Sequence, residues 1–275
     1  MPGERNVRRS MGRDRQSSVV AVRRGIAGIT CTALAGGLLS LAFAARGRAV
    51  AADEPPPIVR KAVADYALQT RGNFAFTRHL TFSMRVGPMN KEVTNEVGIL
   101  MRDGEYVRTK YYTATTNGQT DSDASIRKQE QHTNDELAAG RGFFKRPIDP
   151  RYVDDYHFED AACADCKRDE QAIKFTSLVR DNQHGDGLLT VDKAGRTYSI
   201  DYDMNVAPDH ASSGHVDETY GEAMSGVWTC TRSQETYKGR LGFVGGAATL
   251  DYNYDHFKRY AQPDAAIAAL EGHTY

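Results

Sequence analysis

The stretch NFAFTRHLTFSMRV, Asn73 to Val86, decides how this chain folds. Phe74, Phe76, Leu80, Phe82, Met84 and Val86 alternate with Asn73, Thr77, His79, Thr81, Ser83 and Arg85. A period of two belongs to a strand with one face to bury and one to wet. Gly87-Pro88 turns the chain, and Val93, Val97, Ile99 and Met101 repeat the alternation. Asp103-Gly104 is a two-residue hairpin signal, and Glu105 to Thr113 runs back. Upstream, Val59, Ala62, Val63 and Tyr66 recur at three- and four-residue spacing. That spacing predicts a helix over Ile58 to Thr70, led in by Pro55-Pro56-Pro57 and stopped by Gly72.

Downstream the pattern breaks. Thr115 to Ser125 is polar and turn-rich, and Ser125 to Ala139 reads as a helix with few apolar residues, ended by Gly140-Arg141-Gly142. Strand signals resume at Ala172 to Val179, Leu188 to Asp192, Arg196 to Val206, Gly214 to Tyr220, Val227 to Tyr237 and Leu241 to His256. Turns fall at His184-Gly185-Asp186-Gly187, Lys193-Ala194-Gly195 and Met224-Ser225-Gly226, and a weak helix, Asp264 to Leu270, closes the chain. Many amphipathic strands with two or three helices exclude a doubly wound α/β fold. The expected class is mainly β (α+β): a strongly curved antiparallel sheet, a half-open β-barrel, with a few helices covering its concave face. A closed barrel of the lipocalin type is the alternative.

The first fifty residues concern compartment. Arg5, Arg8, Arg9, Arg13, Arg15, Arg23 and Arg24 precede an uncharged run, Gly25 to Ala45, then Ala49-Val50-Ala51 and an acidic, proline-rich start. This order reads as an export signal over 1–51, cleaved near Ala51, ahead of one domain over 52–275. A retained membrane anchor is the alternative, disfavoured by Arg46 and Arg48 on the far side. Of the 35 basic and 36 acidic residues, the leader holds nine and two, which leaves the remainder at a net charge of −8. No Lys/Arg run survives in it, so nucleic acid is not an expected partner, and membrane contact would be peripheral or transient.

Four patterns invite chemistry. Cys163-Ala164-Asp165-Cys166 is a C-x-x-C crowded by Glu159, Asp160 and Asp169; the negative charge disfavours a reactive thiolate, and no second C-x-x-C offers zinc. An oxidised loop staple is the reading for Cys163 and Cys166, with Cys230 an unpaired, buried thiol. Ser125-Ile126-Arg127-Lys128 matches S-x-x-K, but its partner motifs are absent. Asp201, Asp203, Asp251, Asn253 and Asp255 read as the polar face of edge strands, and no pair of histidines has ligand spacing along the chain. No catalytic residue, metal or cofactor is expected, and the chain is not read as an enzyme.

The apolar face of the first strand is the best binding candidate. Phe76, Leu80, Phe82 and Met84, faced by Val97, Ile99 and Met101, would suit an acyl chain, with core packing as the competing explanation. The order of elements and the closing segment Gly226-Val227-Trp228, Tyr237-Lys238-Gly239 and Tyr254 to Tyr260 resemble periplasmic lipoprotein carriers and outer-membrane lipoprotein-sorting-like proteins, nearest to uncharacterised exported bacterial members. The resemblance implies a half-open barrel lidded by helices. It implies a hydrophobic ligand, lipid or lipoprotein acyl chain, and lipid or lipoprotein transport in the periplasm or on the cell envelope. Such carriers hold their lid with an arginine; Arg78 and Arg85 lie in that kind of strand, and neither is matched to it. The alternative is an envelope sensor or regulatory domain that binds a protein, using the acidic loops at 115–170.

Overall fold

The computed structural model describes residues 54–141, 144–163, 166–167, 169–208, 211–241 and 244–275. The segment expected to direct export lies outside them. Helix α1 (Pro57–Gln69) starts with proline at its first position and leads into β1 (Asn73–Val86). Strands β2 (Met89–Arg102), β3 (Glu105–Thr116) and the two-residue β4 (Gln119–Thr120) complete a meander. Helix α2 (Asp123–Ala138), capped by the Ser122 side chain, and a 3-10 turn at Val153–Asp155 come next. Strands β5 (Tyr156–Ala161), β6 (Glu170–Ser177), β7 (Gly185–Asp192) and β8 (Thr197–Met204) follow. The long strands β9 (Ala211–Met224), β10 (Val227–Leu241) and β11 (Val244–Tyr260) precede helix α3 (Pro263–Gly272).

All eleven strands form one antiparallel sheet in the order β4-β3-β2-β1-β11-β10-β9-β8-β7-β6-β5. β4 and β5 are its two ends and do not pair, so the sheet curves as a half-open barrel and not as a closed lipocalin-type one. The Asp103-Gly104 hairpin forms as expected, with both residues at positive φ (49° and 81°), which matches the strands' right-handed twist.

The sheet has two differently furnished faces. The inner face carries α1: Val59, Ala62 and Tyr66 pack into a core with Phe175, Leu189, Ile200 and Tyr202. It meets three hairpins at the same end of the sheet. Lys61 Nζ donates to the Lys193 carbonyl (3.1 Å) beside the β7–β8 turn, and Thr70 lies against Gly104 in the β2–β3 turn. Gln69 Oε1 accepts from the Trp228 amide (2.9 Å) at the β9–β10 turn. α1 therefore plugs one end of the half-barrel. The helices do not share this face: α3 sits on the outer one, where Ala266 and Leu270 pack on Leu100. Gly98 permits that docking, since a Cβ there would lie 2.7 Å from Leu270 Cδ1 and 2.4 Å from the Tyr112 hydroxyl.

α2 buries no residue, in keeping with its polar sequence. It guards an edge. Asn134 Oδ1 accepts from the Thr109 amide (2.7 Å) while its Nδ2 donates to the Thr109 carbonyl (3.0 Å), as a neighbouring strand would. Glu130 takes the Tyr111 amide (3.1 Å). Exposed strand edges recruit other strands, and here side chains occupy the free groups of β3.

Two sequence expectations change. Gly185 to Gly187 belong to β7 and not to a turn: Gly187 pairs with Tyr202 so closely that a Cβ would fall 1.9 Å from the Asp201 carbonyl oxygen. Asp201, Asp203, Asp251, Asn253 and Asp255 lie on β8 and β11, which are central strands. On the outer face the Asp251 carboxylate pairs with Arg232 (2.7 Å) and that of Asp203 lies against the His215 ring (3.0 Å). Cys163 and Cys166 are disulfide-bonded, as the staple reading requires, with Cα atoms 5.4 Å apart.

Candidate functional site

Strand β1 lays the candidate residues along the inner face, and the structure divides them. Phe76, Val97, Ile99 and Met101 are buried in a core cluster with Phe74 and Val227 at the plugged end. Phe76 stacks on Phe257 (4.4 Å between ring centres) and meets Tyr106 and Tyr254 edge-on. These four residues are core. Leu80, Phe82 and Met84 share Phe76's face but are half-buried and packed into none of the core clusters. The register sets Phe82 between Leu250 and Val93, Met84 beside Ala248, and Leu80 beside Tyr252. The open end of the inner face thus carries an apolar stripe on β1 and β11, bordered on β2 by Val93 between Asn95 and Lys91, that no described helix covers.

A polar layer separates the stripe from the core. Arg78 is 8% exposed, and its Nε is sealed without an acceptor. Its guanidinium lies over the Tyr252 ring (5.4 Å) and forms no ion pair among the described residues. Asn95 Oδ1, on the next strand, is likewise buried without a partner. Burying a charge is costly unless it is offset, and the nearby Glu235 carboxyl, which feels the Arg78 charge, supplies part of that offset. Glu235 sits beside Leu250 on β10; burial pushes its carboxyl above the usual range, partly opposed by the Tyr237 hydroxyl at 2.6 Å. Deeper in, Arg146 pairs bidentately with Glu218 (2.8 and 2.7 Å), to which Tyr220 also donates (3.0 Å). Burial holds the Tyr106 hydroxyl up at about 12, so it stays a neutral donor.

Arg78 was legible as the one residue that interrupts the apolar parity of β1; the alternation alone passes over it. An open cleft of about 510 Å³ lies at the same end of the sheet, lined by Met84 of the stripe and Ala247 together with Ser83, Arg85, Lys91, Glu92 and Asn117. It meets the stripe at Met84. Ser125 and Lys128 of the S-x-x-K match sit in the first turns of α2, Ser125 half-buried and accepting from Gln129 Nε2 (3.5 Å), Lys128 exposed.

Cys230 is the free cysteine among the described residues, and it is buried. Burial pushes its thiol well up, and Sγ donates to the Arg232 carbonyl (3.2 Å). Because the thiolate is the nucleophile, Cys230 is expected to resist iodoacetamide in the native protein at mildly alkaline pH and to react fully in urea. Peptide-resolved mass spectrometry checks this; rapid native labelling would contradict the burial.

No described helix is long and apolar enough to cross a membrane. No family model matches the chain, and no curated protein does. Among solved structures, the chain is similar to a domain described as an outer membrane lipoprotein-sorting protein from Vibrio parahaemolyticus, at 10% identity, over 76% of this chain and 97% of that one, with a TM-score of 0.39. It is similar to a DUF1329 family protein from Desulfovibrio piger at 12% identity, over 78% and 97%, with a TM-score of 0.36. Against the Pseudomonas aeruginosa MucA/MucB complex the identity is 8%, over 74% and 99%, with a TM-score of 0.18. Likenesses this distant carry no assignment of family or activity to this chain.

Proposed function

We propose that this protein binds a hydrophobic ligand, a lipid or a lipoprotein acyl chain, along the open half of its inner face, and that it works as an exported carrier in the cell envelope. The observation that supports this is the uncovered stripe of Leu80, Phe82, Met84, Val93 and Leu250 beyond a plugged, well-packed core. An amphipathic strand ordinarily has its apolar face covered; this one is covered over half its length. Each methylene buried contributes about 0.8 kcal/mol, so ten give roughly 8 kcal/mol, the micromolar range before the cost of ordering the chain. Arg78 and Asn95, at the floor of the stripe, would meet the polar end of such a ligand. No covalent chemistry or cofactor enters this reading.

The test is native mass spectrometry with lipid extraction on protein purified without detergent, followed by titration with a fluorescent fatty acid. A co-purifying lipid, lost in a folded Phe82→Asp variant, is the expected result. A stable, empty protein that ignores the probe would overturn the proposal and move the reading to a protein-binding envelope domain.

A further inference from the structure

The pairing of β1 with β11 brings together on the outer face two histidines that lie far apart in sequence. Opposite Phe76, between the pairs Ala75–Lys258 and Thr77–Asp255, β11 carries two residues, His256 and Phe257. This is a β-bulge, and such bulges re-aim side chains. His256 takes the left-handed conformation there (φ 52°), uncommon for a residue other than glycine. Phe257 turns inward onto Phe76, while His256 stays beside Asp255. His79 projects from the same outer side of β1, where Asp255 reaches it.

The three side chains converge on one point. His79 Nε2 is 3.2 Å and His256 Nδ1 2.8 Å from the same carboxylate oxygen, Asp255 Oδ1. The donor atoms all lie within 4.8 Å of one another. We propose that His79, Asp255 and His256 form a binding site for a divalent cation of the zinc, nickel or copper kind, with solvent completing the coordination. Two imidazole nitrogens and a carboxylate oxygen are a borderline-soft donor set that suits these metals and not calcium or magnesium. Tetrahedral zinc with ligands at about 2.0–2.2 Å needs donors roughly 3.3–3.5 Å apart, which small rotations of these half-exposed or exposed side chains supply.

The surroundings favour a cation. The salt-bridge partners of Asp255 among the described residues are the two histidines, so no lysine or arginine occupies the carboxylate. Glu96, directly across from His79 on β2, adds a second negative charge and is itself approached by His273 Nε2 (3.2 Å). By contrast, His215 stands alone between Asp201 (3.5 Å) and Asp203 (3.0 Å) on the same face, with one imidazole and no second. That makes it a fitting control. The proposed site lies on the opposite face from the apolar stripe and does not depend on lipid binding.

Isothermal titration of tag-free protein with zinc chloride tests the proposal, with His79→Ala, His256→Asn and His215→Ala beside the parent. Asparagine is chosen at 256 because it tolerates the left-handed conformation. One saturable site is expected, weakened about tenfold or more by each of the first two substitutions and unchanged by the third. Since His79 and His256 are not core residues, unaltered circular dichroism and melting of the zinc-free variants should accompany the loss. Absence of saturable binding, or binding that survives both His79→Ala and His256→Asn, would overturn the site.

Discussion

Arg146→Met is expected to lower the unfolding free energy by about 3–5 kcal/mol, the usual cost of stranding one member of a buried ion pair. Glu218 is 3% exposed, and its two oxygens accept both bonds from the Arg146 guanidinium, whose side chain is itself 12% exposed. Removing the arginine leaves the carboxylate with the Tyr220 hydroxyl alone, at 3.0 Å, in a region otherwise lined by Tyr66, Tyr106 and Cys230. It also unties the segment after α2 from β9. Changing both members, Arg146→Met with Glu218→Leu, should recover much of the loss, because no unpaired charge then remains. Urea unfolding of the two variants measures both quantities. A loss under about 1 kcal/mol for the single variant would mean the pair behaves as a solvated surface contact.

The second large effect separates the two halves of β1's apolar face. Phe76→Ala should cost about 3–5 kcal/mol, since it opens a cavity where Phe257 stacks and Tyr106 and Tyr254 meet the ring edge. Phe82→Ala, six residues along the same face, should cost less than about 1.5 kcal/mol, because that side chain is already half in solvent and belongs to no core cluster. The residues are alike and so is the parity; only the covering differs. Equal losses at the two sites would show that the open half of the stripe is packed after all, and would remove the physical basis for a ligand there.

The sequence exposed the fold where one face is dry and the other wet. Asn73 to Val86 and Val93 to Met101 alternate cleanly for that reason, and the meander could be read down to its Asp103-Gly104 turn. β5 escaped notice: YHFEDA is short, one-third acidic, and an edge strand with a single partner, so it has little apolar alternation to show. The glycines of His184 to Gly187 misled because they mark a close approach to Tyr202 and not a bend. The Cys163–Cys166 pairing could be reasoned from spacing and charge. The candidate lipid site was half legible: its residue types were visible, but which of them α1 covers depends on where the helix lands. The convergence of His79 and His256 was invisible, because it requires the β1–β11 register and a bulge within it.

That register also sets the timing of assembly. Among the described residues β1 is the first strand in the sequence and β11 the last, yet they zip together along their whole length, from Asn73 with Tyr260 to Val86 with Gly246. Until β11 exists, β1 offers a long amphipathic strand with one unsatisfied edge, and the β1–β4 meander cannot join the rest of the sheet. Such distant pairing makes for slow folding and a vulnerable interval before it finishes. Of the described strands, β1 therefore waits longest for one of its two neighbours, and its open edge is where a folding chain is most exposed to wrong pairing.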